Sequence, residues 1–208
     1  MNIVISAGPT RERIDAVRFI SNRSTGKMGY ALATAAAEMG HHVTLVSGPV
    51  HLPPPPDIKL VQVESAAEMA AAMCEAAPLA DAVIMTAAVA DYRPINPLPN
   101  KMKKMPGNLT LELERTEDIL QTLGSEKRPG QLLIGFAAET DDLKANAVGK
   151  LNRKNLDWIV ANDVSRTDRG FGADTNAVTL FSRDGRQVEL PLAGKDEIAR
   201  QILELVLA

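Results

Sequence analysis

The chain has 208 residues, 45% of them hydrophobic and only 3% aromatic, with a net charge of −3. Such a length suits one domain able to bury a core unaided. The balanced charge and scarce aromatics disfavour a nucleic-acid coat, a membrane-surface binder and a base-stacking platform. A single cysteine, Cys74, rules out an internal disulfide framework and a Cys-rich zinc site, and three histidines leave little for a His-based one. With no basic leader, and no run of about 18 apolar residues, the expected setting is the cytoplasm, away from membranes.

In chain order, Asn2 to Ala7 is a short β-branched run that stops at Gly8-Pro9, which predicts a buried strand and a turn. A long polar segment, Thr10 to Thr25, precedes an Ala-rich helix from Met28 to Met39, closed by Gly40. Strands follow at Val43 to Val46 and Ile58 to Val63, separated by Pro53 to Pro56. Ser65 with Glu68 spells a capping box for a helix to about Ala77. Ala82 to Val89 is a continuous apolar run, expected as a central strand. Arg93 to Asn108, with four prolines and three lysines, predicts a mobile surface flap. Leu132 to Phe136 and Trp158 to Ala161 predict two more strands around a helix over Asp141 to Asn155. Ala177 to Phe181 and Gln187 to Leu192 flank Asp184-Gly185 as a hairpin, and a helix over Asp196 to Leu207 ends the chain. The order predicts a Rossmann-like, doubly wound α/β domain over residues 1–208. Its sheet is mostly parallel with helices on both faces, a C-terminal β-hairpin and the flap.

Ligands of such sheets sit beyond the carboxyl ends of the strands. After the first strand come Gly8 and then Ser24-Thr25-Gly26-Lys27-Met28-Gly29 at a helix start, a setting that suits phosphate and equally suits a plainly capped helix. Neither the dinucleotide fingerprint nor the P-loop pattern is present. Past the fourth strand, Thr86 to Arg93 offers small residues for a planar group and Asp91 for a hydroxyl, a metal-bound phosphate or a turn cap. Lys101, Lys103 and Lys104 are a solvated run or a clamp on polyphosphate; Phe136 is core or a wall for a base. Lys150, Arg153 and Lys154 share one helix face. Cys74 reads as a small buried residue.

The ordered set Ser6-Ala7-Gly8-Pro9-Thr10-Arg11-Glu12, Ile20-Ser21-Asn22, Ser24 to Gly29, Val46 to Pro49, Ala87 to Arg93, Lys101 to Lys104, Gly135 to Thr140 and Asn162-Asp163 resembles the bacterial phosphopantothenoylcysteine synthetases across nearly the whole chain. The resemblance implies a ligase of coenzyme A biosynthesis. It would activate 4′-phosphopantothenate with CTP as an acyl-cytidylate, then form an amide with cysteine. Positioning and charge stabilisation would carry the catalysis, so no enzyme nucleophile is needed. It implies that Asn22 serves the second step, as a donor to the oxyanion, and that Lys101 serves the first. It places CTP on Met85, Thr86, Ala87, Asp91, Lys101, Glu117, Asp118, Ile119, Leu120, Phe136, Lys150 and Lys154. Gly8, Ser24, Thr25 and Gly26 then form the phosphate and substrate loop. Glu117 to Leu120 match a further nucleotide-contact loop of the family, which often has Asn-Pro-Asp-Ile where this chain has Thr116-Glu117-Asp118-Ile119. The resemblance further implies Mg²⁺ on the phosphates with no dedicated protein metal site, a homodimer, and fusion to or partnership with a flavin-dependent decarboxylase. ATP in place of CTP, a nicotinamide oxidoreductase and a non-catalytic nucleotide sensor are the competing readings.

Overall fold

A computed structural model describes residues 1–104, 106–139, 142–163 and 172–208. Met105 of the flap, Thr140, Asp141 and Val164 lie outside the described residues.

The first strand is β1 (Asn2–Ala7), as its β-branched run requires. The polar segment after it is a small hairpin, β2 (Arg11–Arg13) with β3 (Phe19–Ser21), which polarity alone did not reveal. Helix α1 (Lys27–Glu38) and strands β4 (His42–Ser47) and β5 (Lys59–Gln62) come next. Helix α2 (Ala66–Ala76) opens on the anticipated capping box: the Ser65 hydroxyl accepts from the Glu68 N–H at 3.2 Å, and the Glu68 carboxylate accepts from the Ser65 N–H at 3.4 Å. Then come β6 (Ala82–Met85), β7 (Tyr92–Pro94), β8 (Leu113–Arg115), α3 (Ile119–Ser125), β9 (Leu132–Glu139), α4 (Leu143–Arg153), β10 (Trp158–Asp163), β11 (Thr175–Ser182), β12 (Gln187–Gly194) and α5 (Lys195–Val206).

Eight strands form one sheet in the order β12-β11-β10-β9-β6-β1-β4-β5. From β10 to β5 every pairing is parallel, and the β11–β12 hairpin closes one edge antiparallel. Period-two alternation sorts β1 between two cores: Ile3 and Ile5 pack with α1 and α5 on one face, and Val4 packs with α2, α3 and α4 on the other. Because β1 lies between β4 and β6, the connections leaving it diverge to opposite sides. The crevice at its carboxyl end is therefore the topological switch point.

Three expectations need correcting. The apolar run from Ala82 stops being strand at Met85, not Val89, because β1 captures the following backbone. Ser6 Oγ accepts from the N–H groups of Thr86 and Ala87, both at 3.1 Å, and Thr86 Oγ1 donates to the Ser6 carbonyl at 2.7 Å. Residues 86–91 thus fold across the end of the sheet and become binding surface. The flap is the second. Its base is a two-stranded arm, with Tyr92 paired to Arg115 and Arg93 bonded to Glu114 at 2.8 Å, so the excursion runs from 92 to 115 and not from 93 to 108. Segment 117–120, read as a loop, holds the start of α3, capped by Asp118 through the Gln121 N–H at 3.1 Å.

Candidate active site

A cavity of about 670 Å³ opens at the switch point, a size ordinary for a small-molecule site. Its floor is the end of β6 and the loop beyond it: Met85, Thr86, Ala87 and Asp91. One wall is the start of α1, with Asn22, Ser24, Thr25 and Gly26. The other combines Glu117, Asp118, Ile119 and Leu120 with Phe136 from β9 and Lys150 and Lys154 from α4. Asn22 and Lys154, far apart in sequence, thus face one space. Arg153 turns away from it although it shares the helix, and so do Lys103 and Lys104. Two of the anticipated site residues are placed elsewhere. Lys101 is exposed in the flap beyond the wall. Gly8 is buried beneath the wall, with a φ of +79° and its carbonyl accepting from the Ala88 N–H at 2.9 Å; it supports Gly26 from below.

The start of α1 is not a capped helix. Gly26 is left-handed at φ 78°, no side chain caps the end, and the first-turn N–H groups face the cavity with the positive end of the helix dipole. Polar wall residues not anticipated as binding groups include Lys27, Arg115, Thr116, Asn162, Asn176 and Lys195. Lys195 is only 8% exposed, and burial followed by the neighbouring Lys27 pushes its ammonium pKa down, with Asp174 opposing. The Asn162 Oδ1 atom is buried and has no hydrogen-bond partner among the described residues. Lys195 opens a terminal amphipathic helix, where a lysine reads as solvated; only the α1–α5 packing turns it inward.

The cavity is therefore polarised. Toward α1 and α5 it holds Lys27, Lys195, two hydroxyls and the first turn of α1; toward α3 and α4 it holds Ile119, Leu120 and Phe136, rimmed by Lys150, Lys154, Arg115, Glu117 and Asp118. Lys154 is paired to Asp118 at 2.8 Å and Lys27 to Asp174 at 2.5 Å. Asn22 has both amide hydrogens in use, Nδ2 donating to the carbonyls of Ala88 at 2.9 Å and Val89 at 3.2 Å. Its Oδ1 is left as the acceptor, so the expected donation to an oxyanion is not what this geometry offers. Among the described residues no group of three or more His, Cys, Asp and Glu is placed to hold a metal ion. No helix among them is long and apolar enough to cross a membrane.

The family of DNA/pantothenate metabolism flavoprotein C-terminal domains matches residues 1–208. The chain belongs to that family. It is 53% identical over 208 residues to the coenzyme A biosynthesis bifunctional protein CoaBC of Bacillus subtilis, covering 100% of this chain and 51% of the relative. The corresponding protein of Escherichia coli K12 is 47% identical, over 98% of this chain and 51% of its own length. The chain thus spans about half the length of these curated relatives. Its fold superposes on the crystal structure of the C-terminal domain of a CoaBC protein with a TM-score of 0.84 at 49% identity, covering 99% of this chain and 93% of that one. For this flavoprotein C-terminal domain, the polarised cavity is the surface on which function must be argued.

Proposed function

We propose that this domain is a phosphopantothenate–cysteine ligase acting in coenzyme A biosynthesis. The carboxylate of 4′-phosphopantothenate attacks the α-phosphorus of CTP, forming an acyl-cytidylate and releasing pyrophosphate. The amine of cysteine then attacks the acyl carbon, forms the amide and expels CMP, with one proton lost from the amine. The observation that carries this reading is a cavity that joins Lys27, Lys195 and the start of α1 at one end to an apolar patch of Ile119, Leu120 and Phe136, rimmed by charged side chains, at the other. It suits a nucleoside triphosphate laid with phosphates toward α1 and α5 and the base against Phe136. Membership of a family whose matched relatives are described as coenzyme A biosynthesis proteins supports the substrates.

Each residue then has a physical task. The uncapped α1 end, Ser24, Thr25, Lys27 and Lys195 offset phosphate charge. The backbone of Met85 to Ala87 presents a fixed edge to the cytosine, which favours CTP over ATP. Asn22, locked by two carbonyls, turns Oδ1 toward the reacting centre, where it accepts from the incoming amine and aims its lone pair. Lys101 would bring a further cation to the triphosphate from the flap. Asp91 fits a Mg²⁺ ion: its carboxylate lines the cavity and makes no hydrogen bond among the described residues, and Mg²⁺ usually takes one or two carboxylates plus phosphate oxygens. The ion would neutralise phosphate charge. A homodimer is supported by apolar side chains exposed together on the β2–β3 hairpin and the flap arm: Val17, Phe19, Tyr92, Ile95, Leu98 and Leu113. Fusion to or partnership with a flavin-dependent decarboxylase accords with relatives described as bifunctional.

The test is pyrophosphate release from CTP, phosphopantothenate and Mg²⁺, run beside ATP. Release with CTP at a rate exceeding that with ATP is the expected result, and Lys101→Gln should lower it about a hundredfold, the scale of one electrostatic transition-state contact. No CTP-dependent release overturns the ligase reading, and an unaltered Lys101→Gln rate overturns that residue's role.

Lys195 gives a separate check with a definite sign. Its pKa is lowered, so the free protein loses that proton as pH climbs through a value below the ordinary lysine range. A polyanion favours the charged form. CTP affinity should therefore be full below that pKa and fall above it. Lys195→Met should flatten the profile and weaken CTP binding about tenfold at neutral pH. Because folding lowers this pKa, charged Lys195 costs stability below it, and that cost is relieved as pH rises; Lys195→Met should accordingly raise Tm at neutral pH. A pH profile unchanged by the substitution would remove Lys195 from the phosphate end.

A further inference from the structure

The turn of the β2–β3 hairpin contains a carboxylate that local structure does not explain. The Asp15 side chain is completely buried, although it belongs to a surface hairpin. Part of its bonding is a local turn: Oδ1 accepts from the N–H groups of Val17 and Arg18, each at 2.8 Å. Oδ2 does something else. It accepts from Arg18 Nε at 2.9 Å and from the backbone N–H of Met102, 87 residues away, at 3.1 Å. Arg18 Nη2 in turn donates to the Met102 carbonyl at 3.0 Å. Both backbone groups of one flap residue are therefore held by one ion pair. A second backbone bond, from the Leu98 N–H to the Ile14 carbonyl at 3.0 Å, ties the ascending flap to the same turn.

A buried carboxylate is tolerated only when its charge and lone pairs are fully answered. Here the flap backbone supplies part of the answer, so the flap and the turn stabilise each other. Met102 is the neighbour of Lys101. The other end of the same hairpin leads directly into Asn22, whose amide grips Ala88 and Val89. The two residues given chemical roles above thus hang from one small element.

We propose that Asp15 is a positioning residue of the ligase, latching Met102 and so fixing the flap backbone from which the neighbouring Lys101 acts in the first chemical step. The proposal rests on the role of Lys101 argued above. It uses only backbone atoms of the flap, so the identity of the Met102 side chain is immaterial to the latch, whereas the presence of its N–H is not.

Three variants test it. Asp15→Ala removes both acceptors. Asp15→Asn keeps an acceptor for the Met102 N–H but loses the charge that pairs with Arg18. Met102→Pro deletes the donor and leaves the Asp15 turn intact. Loss of one charge-assisted bond shifts a local opening equilibrium by about tenfold. Trypsin should then cut after Lys103 and Lys104 about tenfold faster in Asp15→Ala and Met102→Pro, with Asp15→Asn between these and the parent; the bond after Lys101 in Met102→Pro resists trypsin and is left out of the comparison. Pyrophosphate release should fall in the same order through kcat, with the KM for CTP little changed. A purely structural Asp15 would lower Tm without moving the Met102→Pro flap cleavage. Parental cleavage and parental kcat in Met102→Pro overturn the latch. Should Lys101→Gln retain full activity while the cleavage series holds, the latch stands as a flap anchor and its catalytic purpose is overturned instead.

Discussion

An Asn22→Asp protein is expected to release pyrophosphate at close to the parental rate while forming the amide about 10²–10³-fold more slowly, so that the acyl-cytidylate accumulates on it. The reason lies in the two carbonyls that hold the side chain. Asn22 Nδ2 donates to both Ala88 and Val89, and a carboxylate in its place would set an anionic oxygen against two carbonyl oxygens. The side chain would rotate out, and Oδ1 would no longer point where the amine must arrive. Attack on the α-phosphorus makes no use of that atom, so the first step survives. Single-turnover quenching with CTP and phosphopantothenate, followed by addition of cysteine, separates the steps. Amide formation at the parental rate would dismiss the orienting role. Loss of both steps together would mean that the substitution had collapsed the 86–91 loop.

Substituting Gly29 by alanine is expected to damage both the fold and the site. In an exposed helix interior, Gly→Ala stabilises by about 1 kcal/mol. At Gly29 the sign reverses. A Cβ there would stand 2.5 Å from Ala7 Cβ, 2.7 Å from Thr86 Oγ1 and 3.0 Å from Ala7 Cα. None of these can retreat cheaply: Ala7 ends a central strand, and Thr86 Oγ1 is engaged by the Ser6 carbonyl. The first turn of α1 must lift off the sheet, which withdraws its N–H groups from the phosphate end. Overpacking of this kind costs about 1–3 kcal/mol, a fall in Tm of roughly 2–10 °C for a chain of this size. CTP binding should weaken more than tenfold, since several charge-assisted bonds are displaced together. Gly149→Ala, in α4 with nothing within 4 Å of its added Cβ, is the control and should be neutral or mildly stabilising. Equal Tm and equal CTP affinity in both variants would show that α1 is not seated by close contact at Gly29.

The main sheet was legible because its strands carry their own signal. A parallel strand covered on both faces is apolar along nearly its whole length, and Ile3 to Ala7, Val43 to Val46 and Leu132 to Phe136 have that pattern, interrupted only by Ser6, Thr44 and Gly135. The Ser65–Glu68 box and the Asp184-Gly185 turn are equally local, since each is satisfied within four residues. Misreadings arose where distant chain competes for the backbone. Ala82 to Val89 is apolar to its end, but Ser6 captures the N–H groups of Thr86 and Ala87, and the strand stops. The β2–β3 hairpin is too short and polar to announce itself, and its turn is completed by Met102. The start of α3 hides in a stretch whose resemblance suggested only a contact loop.

For the site, the sequence by itself marked the carboxyl ends of the parallel strands, which converge wherever the connections diverge, and the family resemblance then named Asn22, Thr25, Ala87, Asp91, Phe136 and Lys154, all of which line the cavity. Tertiary structure decided the rest. It buried Lys195 beside Lys27 through the packing of α5 on α1, and it removed Lys101, Lys103 and Lys104 from the wall although their charge pointed there. It also spent both Asn22 donors on neighbouring carbonyls, leaving Oδ1 as the acceptor. The physical division is one of range. Strand patterning and caps depend on neighbours a few residues away. The direction of a charged or amide side chain depends on which desolvated partners long-range folding brings within hydrogen-bond reach.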